Sequence, residues 1–207
     1  MIHANHSGFF ESLFGLWLSF AFRRNFKASR IIGEFHDQNK PLLVLSNHIS
    51  WWDGFWLLRL NQGLFKRKFH VMMLEEQLEK RKFLCKLGAF SIRRNHKSMF
   101  ESLDYAGNLL QDPSNLLLIF PQGEISSQYD QPQVFQNGWT RILKGKEDKV
   151  QIVMVAHLLD YFSHSKPTLY QYLYSPDSEK QMIPQKLEEV YNDFFQRCLE
   201  KQKSIHK

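Results

Sequence analysis

His48 and Asp53 are the residues whose types and spacing are best suited to chemistry. They lie five positions apart in the segment N-H-I-S-W-W-D. An imidazole is an effective general base near neutral pH when a carboxylate fixes its tautomer and stabilises its cation. The segment follows an apolar run at residues 42–45 that is typical of a buried strand, so a turn after that strand would bring Asp53 back to the ring. The alternative is a histidine at a helix start, with Asp53 as a first-turn carboxylate.

Neither a protein nucleophile nor a metal site is indicated beside this pair. The sequence has no G-x-S-x-G, H-E-x-x-H or C-x-x-C motif and no glycine-rich phosphate loop. Its two cysteines, Cys85 and Cys198, have no evident base nearby, and their small number indicates a reducing compartment. We therefore expect no metal and no cofactor. If His48 is a base, it would deprotonate a hydroxyl group of the substrate.

Arg93 and Arg94 begin a basic run at residues 93–97. Arginines near the end of a strand suit phosphate binding through their planar fork of donors, and the alternative is a solvated basic loop. The chain has a net charge of +6 and a pI of about 9.3, which favours anionic partners. Because the sequence has no RNA-binding signature or recognition helix, we expect acidic lipid headgroups rather than nucleic acid.

The wider pattern alternates short apolar runs with helical periodicity and predicts an α/β fold. A chain of 207 residues, of which 43% are hydrophobic, is long enough for one domain with a substantial core. The predicted strands are residues 31–35, 42–45, 69–74, 90–92, 116–120, 150–156 and 168–174. The predicted helices are residues 9–22, 51–60, 75–87, 98–110 and 186–198. These elements favour a mixed, largely parallel central sheet flanked by helices, with sites in the loops beyond the strand ends.

Residues 1–35 are predicted to be a helical, membrane-associating segment that precedes the main domain at residues 36–207. The apolar stretch at residues 9–22 is shorter than the ~20 residues of a spanning helix and contains Glu11. An apolar helix with a basic end is typical of a helix in a membrane interface, and the alternative is a helix packed on the core. The cations that follow the stretch are Arg23, Arg24, Lys27 and Arg30.

The aromatic content of the chain also favours contact with lipid. Eighteen Phe and five Trp hint at apolar surface that faces lipid or an acyl chain. We therefore expect membrane lipids as partners and peripheral or monotopic association with the cytoplasmic face of a membrane.

Four blocks, taken in order, resemble the motifs of the glycerolipid acyltransferase family, whose best-known members are the 1-acylglycerol-3-phosphate acyltransferases. The blocks are N-H-I-S-W-W-D at 47–53, G-A-F-S-I-R-R at 88–94, F-P-Q-G-E-I-S at 120–126 and an apolar strand at 150–156. The resemblance implies that residues 36–207 are an acyltransferase domain. It implies that a fatty acyl group passes from acyl-CoA or acyl-carrier protein directly to a lipid hydroxyl, with His48 as base and Asp53 orienting it. It also implies substrate-binding roles for Arg93, Arg94, Pro121, Gln122, Gly123 and Glu124.

The chain departs from the family pattern mainly in and after the third block. Gln122 replaces a glutamate, Ile125 replaces an arginine, and Gln136 replaces the usual lysine of a later F-K-x-G. The loss of two cations makes an acceptor phosphate more dependent on Arg93 and Arg94. We expect a lysophospholipid or another hydroxylated lipid, such as a glycolipid or lipid alcohol, as the acceptor. A non-catalytic lipid-binding protein on the same scaffold is the alternative.

Overall fold

Seven strands form one sheet in the computed structural model, which describes residues 1–94, 97–177 and 183–205. The spatial order is β1-β7-β6-β2-β5-β3-β4, and each neighbouring pair is parallel except β6 with β7. The prediction of a mixed, largely parallel sheet is confirmed. The strands are β1 (Ala28–Ile32), β2 (Leu42–Ser46), β3 (Lys68–Leu74), β4 (Ala89–Ile92), β5 (Asn115–Ile119), β6 (Gln151–Asp160) and β7 (Thr168–Tyr174).

Helices cover both faces of this sheet. The described α-helices are α1 (Gly8–Asn25), α2 (Asp53–Leu60), α3 (Glu75–Glu79), α4 (Ser98–Leu109) and α5 (Leu187–Lys203). The largest core cluster lies under α4 and α5, and a second lies under α1, α2 and α3. The middle strand β2 contributes alternate residues to each core, which explains its uninterrupted apolar sequence.

The central position of β2 determines where a site can form. Its parallel neighbours are β5 and β6, so the carboxyl ends of the three strands meet at one edge of the sheet. The segments that leave β2 and β5 at this edge carry the first and third blocks, and the end of the fourth block lies beside them within β6. Loops beyond the carboxyl ends of parallel strands are the usual location of ligand sites in such folds.

The first strand differs from its prediction. β1 covers Ala28–Ile32 rather than residues 31–35, because Gly33 turns the chain with a φ of 108°. A Cβ at Gly33 would lie 2.4 Å from the carbonyl oxygen of Leu173, so only glycine permits this close approach. Since β1 pairs with β7, part of the segment at residues 1–35 belongs to the central sheet.

The predicted helix at residues 75–87 is also different, since it is two short pieces. The α-helix α3 ends at Glu79, and a 3₁₀-helix follows at Lys82–Leu87. Leu78 and Leu84 are both buried in the same core. A continuous α-helix would separate two residues six positions apart by about 120° around its axis. The break at Arg81, which has a non-helical backbone, allows both leucines to point into that core.

Helix α1 both packs on the domain and exposes an apolar face. Leu18, Ala21 and Phe22 are buried, as expected for a packed helix. The opposite face presents large apolar side chains to solvent, with Phe9 82% and Leu16 73% exposed. None of the described helices has the length and apolar character needed to cross a bilayer. We call this exposed set the α1 stripe; it comprises Phe9, Leu13, Leu16, Trp17 and Phe20.

Candidate active site

The turn after β2 brings His48 and Asp53 into direct contact. Nδ1 of His48 lies 2.7 Å from Oδ2 of Asp53. The same oxygen accepts hydrogen bonds from the backbone N–H groups of Ile49 at 2.7 Å and Ser50 at 2.9 Å. These bonds fold residues 48–52 into a turn, so α2 begins at Asp53 and not at residue 51 as predicted. The expected imidazole–carboxylate contact is therefore present.

Burial and hydrogen bonding act in opposite directions on Asp53. The side chain is fully buried, and desolvation raises the pKa of its carboxyl group above the usual value. The hydrogen bond from His48 and the two backbone N–H groups lower the pKa and only partly offset the burial. The second oxygen, Oδ1, has no hydrogen-bond partner among the described residues.

The imidazole of His48 is held in one orientation but remains open to solvent. Its ring stacks on Phe120 at a centroid distance of 4.2 Å, and its side chain is 23% exposed. In the neutral ring, the contact with Asp53 places the proton on Nδ1 and leaves a lone pair on Nε2. Within the described residues, Nε2 has no hydrogen-bond partner. A neutral imidazole with a free Nε2 is the form that a general base requires.

The side chain of Gln122 holds the backbone of His48 in place through a hydrogen bond. Its Oε1 accepts a hydrogen bond from the N–H of His48 at 2.7 Å, and its Nε2 donates to Oγ of Ser126 at 2.8 Å. The backbone of Ser126 in turn donates to the carbonyl oxygen of His48 at 2.9 Å. Gln122 is buried, so its amide positions the histidine and is occupied by these contacts. Its predicted role in substrate binding remains a prediction.

An apolar cavity of about 410 Å³ opens beside His48. Trp51 and Ile125, both half exposed, line it near the third block. Its walls come from β3, α2 and the 3₁₀-helix at Lys82–Leu87, and include Phe55, Leu58, Val71, Met73, Leu84 and Leu87. A mainly apolar cleft with few polar groups is the usual form of a small-molecule site.

The two arginines of the second block have different surroundings. Arg93 forms an ion pair with the buried carboxylate of Glu75, which also accepts a hydrogen bond from Ser91. These contacts lower the pKa of Glu75, with the Ser91 bond making the largest contribution. Arg94 is exposed, lines the apolar cavity and has no ion-pair partner in the described part of the chain. Of the two, Arg94 is available to a ligand; Asn95 and His96 of the same run lie outside the described residues.

Gly123 allows Arg94 to approach the third block closely. Its φ is 75°, and a Cβ there would lie 2.7 Å from Nη2 of Arg94. The N–H of Gly123 donates to the carbonyl oxygen of Phe120 at 2.9 Å, so it is not free for a ligand. The backbone amides of Glu124 and Ile125 donate no hydrogen bond within the described residues.

The remaining residues of the third block lie at a second cavity or at the surface. A cavity of about 470 Å³ shares Phe120, Gly123 and Arg94 with the first and is also lined by Pro121 and by the amides of Gln136 and Asn137. Pro121 is buried, whereas Glu124 is exposed and lines the apolar cavity. The third block therefore separates two cavities, with Arg94 at their common wall.

Sequence reasoning missed His157, which lies next to the pair. Asn47 binds the backbone of His157 at both polar groups, since its Oδ1 accepts from the N–H at 2.8 Å and its Nδ2 donates to the carbonyl at 3.0 Å. Nδ1 of His157 thereby lies 3.9 Å from Oδ1 of Asp53. His157 is fully buried, and desolvation lowers its pKa to about 3. No local pattern marks this histidine, because it is over a hundred residues from the N-H-x4-D block.

Fold and site together define an α/β protein with a His–Asp pair at the carboxyl ends of parallel strands, beside an apolar cavity. The sequence profile of the acyltransferase family matches residues 24–164, which is more than half of the chain. The protein therefore belongs to the acyltransferase family, and the acyltransferase part of the predicted resemblance is confirmed. Comparison with curated proteins gives no significant match.

Proposed function

We propose that this acyltransferase moves a fatty acyl group from a thioester, either acyl-CoA or acyl-carrier protein, to a hydroxyl group of a lipid acceptor. The acceptor is a lysophospholipid or another hydroxylated lipid at the cytoplasmic face of a membrane. The observation that supports this most directly is the His48–Asp53 contact of 2.7 Å beside an apolar cavity of about 410 Å³.

In the proposed reaction, Nε2 of His48 removes the proton of the acceptor hydroxyl as its oxygen attacks the thioester carbon. The C–S bond then breaks, and the imidazolium returns the proton to the departing thiolate. The products are an acyl ester and a free thiol, and no acyl group is attached to the protein. Proton transfer of this kind contributes about 10²–10⁴-fold to a rate. Asp53 stabilises the imidazolium that forms in the middle of the reaction.

The apolar cavity suits the acyl chain of the donor. Each methylene group that leaves water for such a cavity stabilises the complex by up to about 0.8 kcal/mol. The free amides of Glu124 and Ile125 are the candidates to hold the oxyanion that forms on the thioester carbonyl, a contribution of about 3–4 kcal/mol per donor in well-studied hydrolases.

The second cavity suits the polar part of the acceptor. Its lining offers the guanidinium of Arg94 together with the amides of Gln136 and Asn137. Arg93 is paired with Glu75, so of the two arginines only Arg94, which has no ion-pair partner among the described residues, would meet a headgroup here. This supports an acceptor with a low negative charge over one with a phosphate dianion.

The α1 stripe suits a membrane surface. Its side chains lie on one helix face, and α1 continues into the cations Arg23 and Arg24. The ring of Phe14 lies 5.5 Å from that of Phe55, which lines the apolar cavity. A membrane that binds the α1 stripe would therefore lie close to the cavity. A lipid acceptor could then reach the cavity while part of it remains in the membrane.

Thiol release tests the proposed reaction. The purified protein is incubated with acyl-CoA or acyl-carrier protein and vesicles that contain mixed lysophospholipids, glycolipids and lipid alcohols, and free thiol is measured with time. We expect release with the wild type and a loss of at least a hundredfold in His48→Ala. His36→Ala is the matched control, because the His36 side chain is 84% exposed and lies in another part of the chain. Lipid binding without thiol release would instead favour the non-catalytic alternative.

Vesicle flotation tests the membrane role separately. We expect the double variant Leu16→Gln, Phe20→Gln to shift from the vesicle fraction to the soluble fraction. Tyr129→Gln, Val134→Gln is the matched control, because these two exposed apolar residues lie outside α1. An equal distribution of the two double variants would refute the role of the stripe.

A further inference from the structure

Two buried polar atoms that lie close together, one in the catalytic pair and one next to it, have no hydrogen-bond partner in the described part of the chain. They are Oδ1 of Asp53 and Nδ1 of His157, 3.9 Å apart. Most buried polar atoms in proteins are hydrogen-bonded, so two neighbouring exceptions need an explanation. A relative shift of about 1 Å would bring the two atoms to hydrogen-bond distance. Active-site hydrogen bonds are often long without substrate and shorten in the complex.

The surroundings of His157 determine which of its nitrogens carries the proton. Nε2 of His157 lies 3.1 Å from Nε2 of Gln171, on the adjacent strand β7. The other end of that amide, Oε1, accepts a hydrogen bond from Oγ of Ser29 at 3.0 Å. With Oε1 engaged in this way, the amide group of Gln171 donates to Nε2 of His157. The imidazole proton must then be on Nδ1, directed towards Asp53.

The opposite arrangement is electrostatically unfavourable. If the amide of Gln171 were reversed, His157 would carry its proton on Nε2 and present the lone pair of Nδ1 to the carboxylate. Two acceptors would then face each other in a buried site, where such contacts are strongly destabilising. The ring of His157 is also fully buried, and Trp56 packs edge-on against it with 5.2 Å between the ring centroids.

We propose that His157 is a positioning residue for the catalytic pair, and that its Nδ1–H group donates to Oδ1 of Asp53 during acyl transfer. Asp53 then receives donors on both oxygens, from His48 and the backbone on one side and from His157 on the other. A chain of hydrogen bonds extends from Ser29 through Gln171 and His157 to this carboxylate. The inference rests on the proposed role of His48 as the base.

The Nδ1–H group of His157 stabilises the His48–Asp53 pair in the form that has lost its proton. It stabilises the carboxylate while His48 is neutral, which is the state that accepts the substrate proton. Without it, the pair retains its proton more strongly, and the acid limb of the activity profile moves to higher pH. Among the described residues, Tyr191 of α5 also interacts with Asp53, and burial keeps its pKa well above 10, so it stays neutral in this range. The charged side chains of Arg94 and Glu124 line the cavity beside His48.

Three variants separate positioning from structural support. We expect His157→Leu to lower kcat about tenfold to a hundredfold with little change in KM, and to move the acid limb up by about one pH unit. His157→Asn restores a side-chain N–H near the position of Nδ1, so we expect activity within about threefold of wild type. His70→Leu is the matched control, since it removes another buried, uncharged histidine distant from the pair and should leave the profile unshifted.

The tautomer of His157 is a second readout that does not depend on activity. In protein labelled with ¹⁵N-histidine, the resonances of His157 are assigned by their loss in His157→Asn. We expect the Nδ1–H tautomer at pH 7 and no protonation down to pH 5. An Nε2–H tautomer, or equal activity and equal pH profiles in His157→Leu and wild type, would overturn the inference. A wild-type protein that releases no thiol would refute the proposed function instead, and the tautomer would still decide whether His157 can donate to Asp53.

Discussion

The amide of Gln122 provides the sharpest test of how the third block acts on the catalytic pair. In Gln122→Ala, the N–H of His48 loses the acceptor that lies 2.7 Å away, and Oγ of Ser126 loses its donor. A partly buried N–H without a partner costs about 1–3 kcal/mol. We expect the free energy of unfolding to fall by about that amount and the rate of acyl transfer per folded molecule to fall about tenfold or more, because His48 is no longer held from behind.

Two further variants make this prediction specific. Gln122→Glu restores the residue found in the family motif and keeps an oxygen for the N–H of His48, so we expect near-normal activity. Gln151→Ala is the matched control, since Gln151 is buried and its amide also binds backbone groups, at residues 36 and 38, but at the other end of the parallel strands. It should lose stability without losing activity. Chemical unfolding and thiol release measure both effects, and equal rates in Gln122→Ala and Gln151→Ala would refute the positioning role.

Other predictions concern the charges of the site and its surroundings. Asp53→Asn should lower acyl transfer by about tenfold or more, because a neutral amide oxygen gives a weaker hydrogen bond than a carboxylate, and thiol release with a circular dichroism control measures this. Arg94→Ala should raise KM for the substrates, whereas Arg93→Ala should lower the midpoint of thermal unfolding and change KM little. Steady-state kinetics and thermal melts measure these effects, and equal behaviour of the two variants would refute the difference. Because the folded protein keeps His70 and His157 uncharged, with pKa values of about 4 and about 3, the unfolded state binds more protons as the pH falls below 6.5. The free energy of unfolding should therefore fall by about 1.2 kcal/mol for each of the two histidines between pH 6 and 5. His157→Asn should remove the contribution of His157 to this pH dependence in urea titrations.

The local part of the site could be predicted from the sequence. His48 and Asp53 lie in one short segment after an apolar run, and a turn that brings them together needs only local geometry. The sheet was predictable for a similar reason, since each apolar run is long enough to identify a buried strand without reference to its neighbours. The predicted strand boundaries were wrong where a contact with a distant segment determines them. An example is the end of β1 at Gly33, whose position depends on the backbone of β7.

Contacts between distant segments could not be predicted. His157 reaches Asp53 because β6 pairs with β2, and the sequence does not state that pairing. Arg93 and Arg94 are adjacent and chemically identical, yet only Arg93 meets the buried carboxylate of Glu75. The sequence predicts substrate binding for Gln122 but does not predict the hydrogen bond between its side chain and the backbone of His48. In each case the partner is brought close by the fold and not by sequence spacing.

In the proposed reaction, His48 activates a lipid hydroxyl for direct attack on a thioester. The most direct measurement is mass spectrometry of lipids after purified protein has been incubated with an acyl thioester and a mixed lipid extract. We predict that the wild type forms a new acyl lipid while its own mass stays unchanged, and that His48→Ala forms none above background. An acylated protein species that is consumed during transfer, or equal product from His48→Ala, would refute this mechanism.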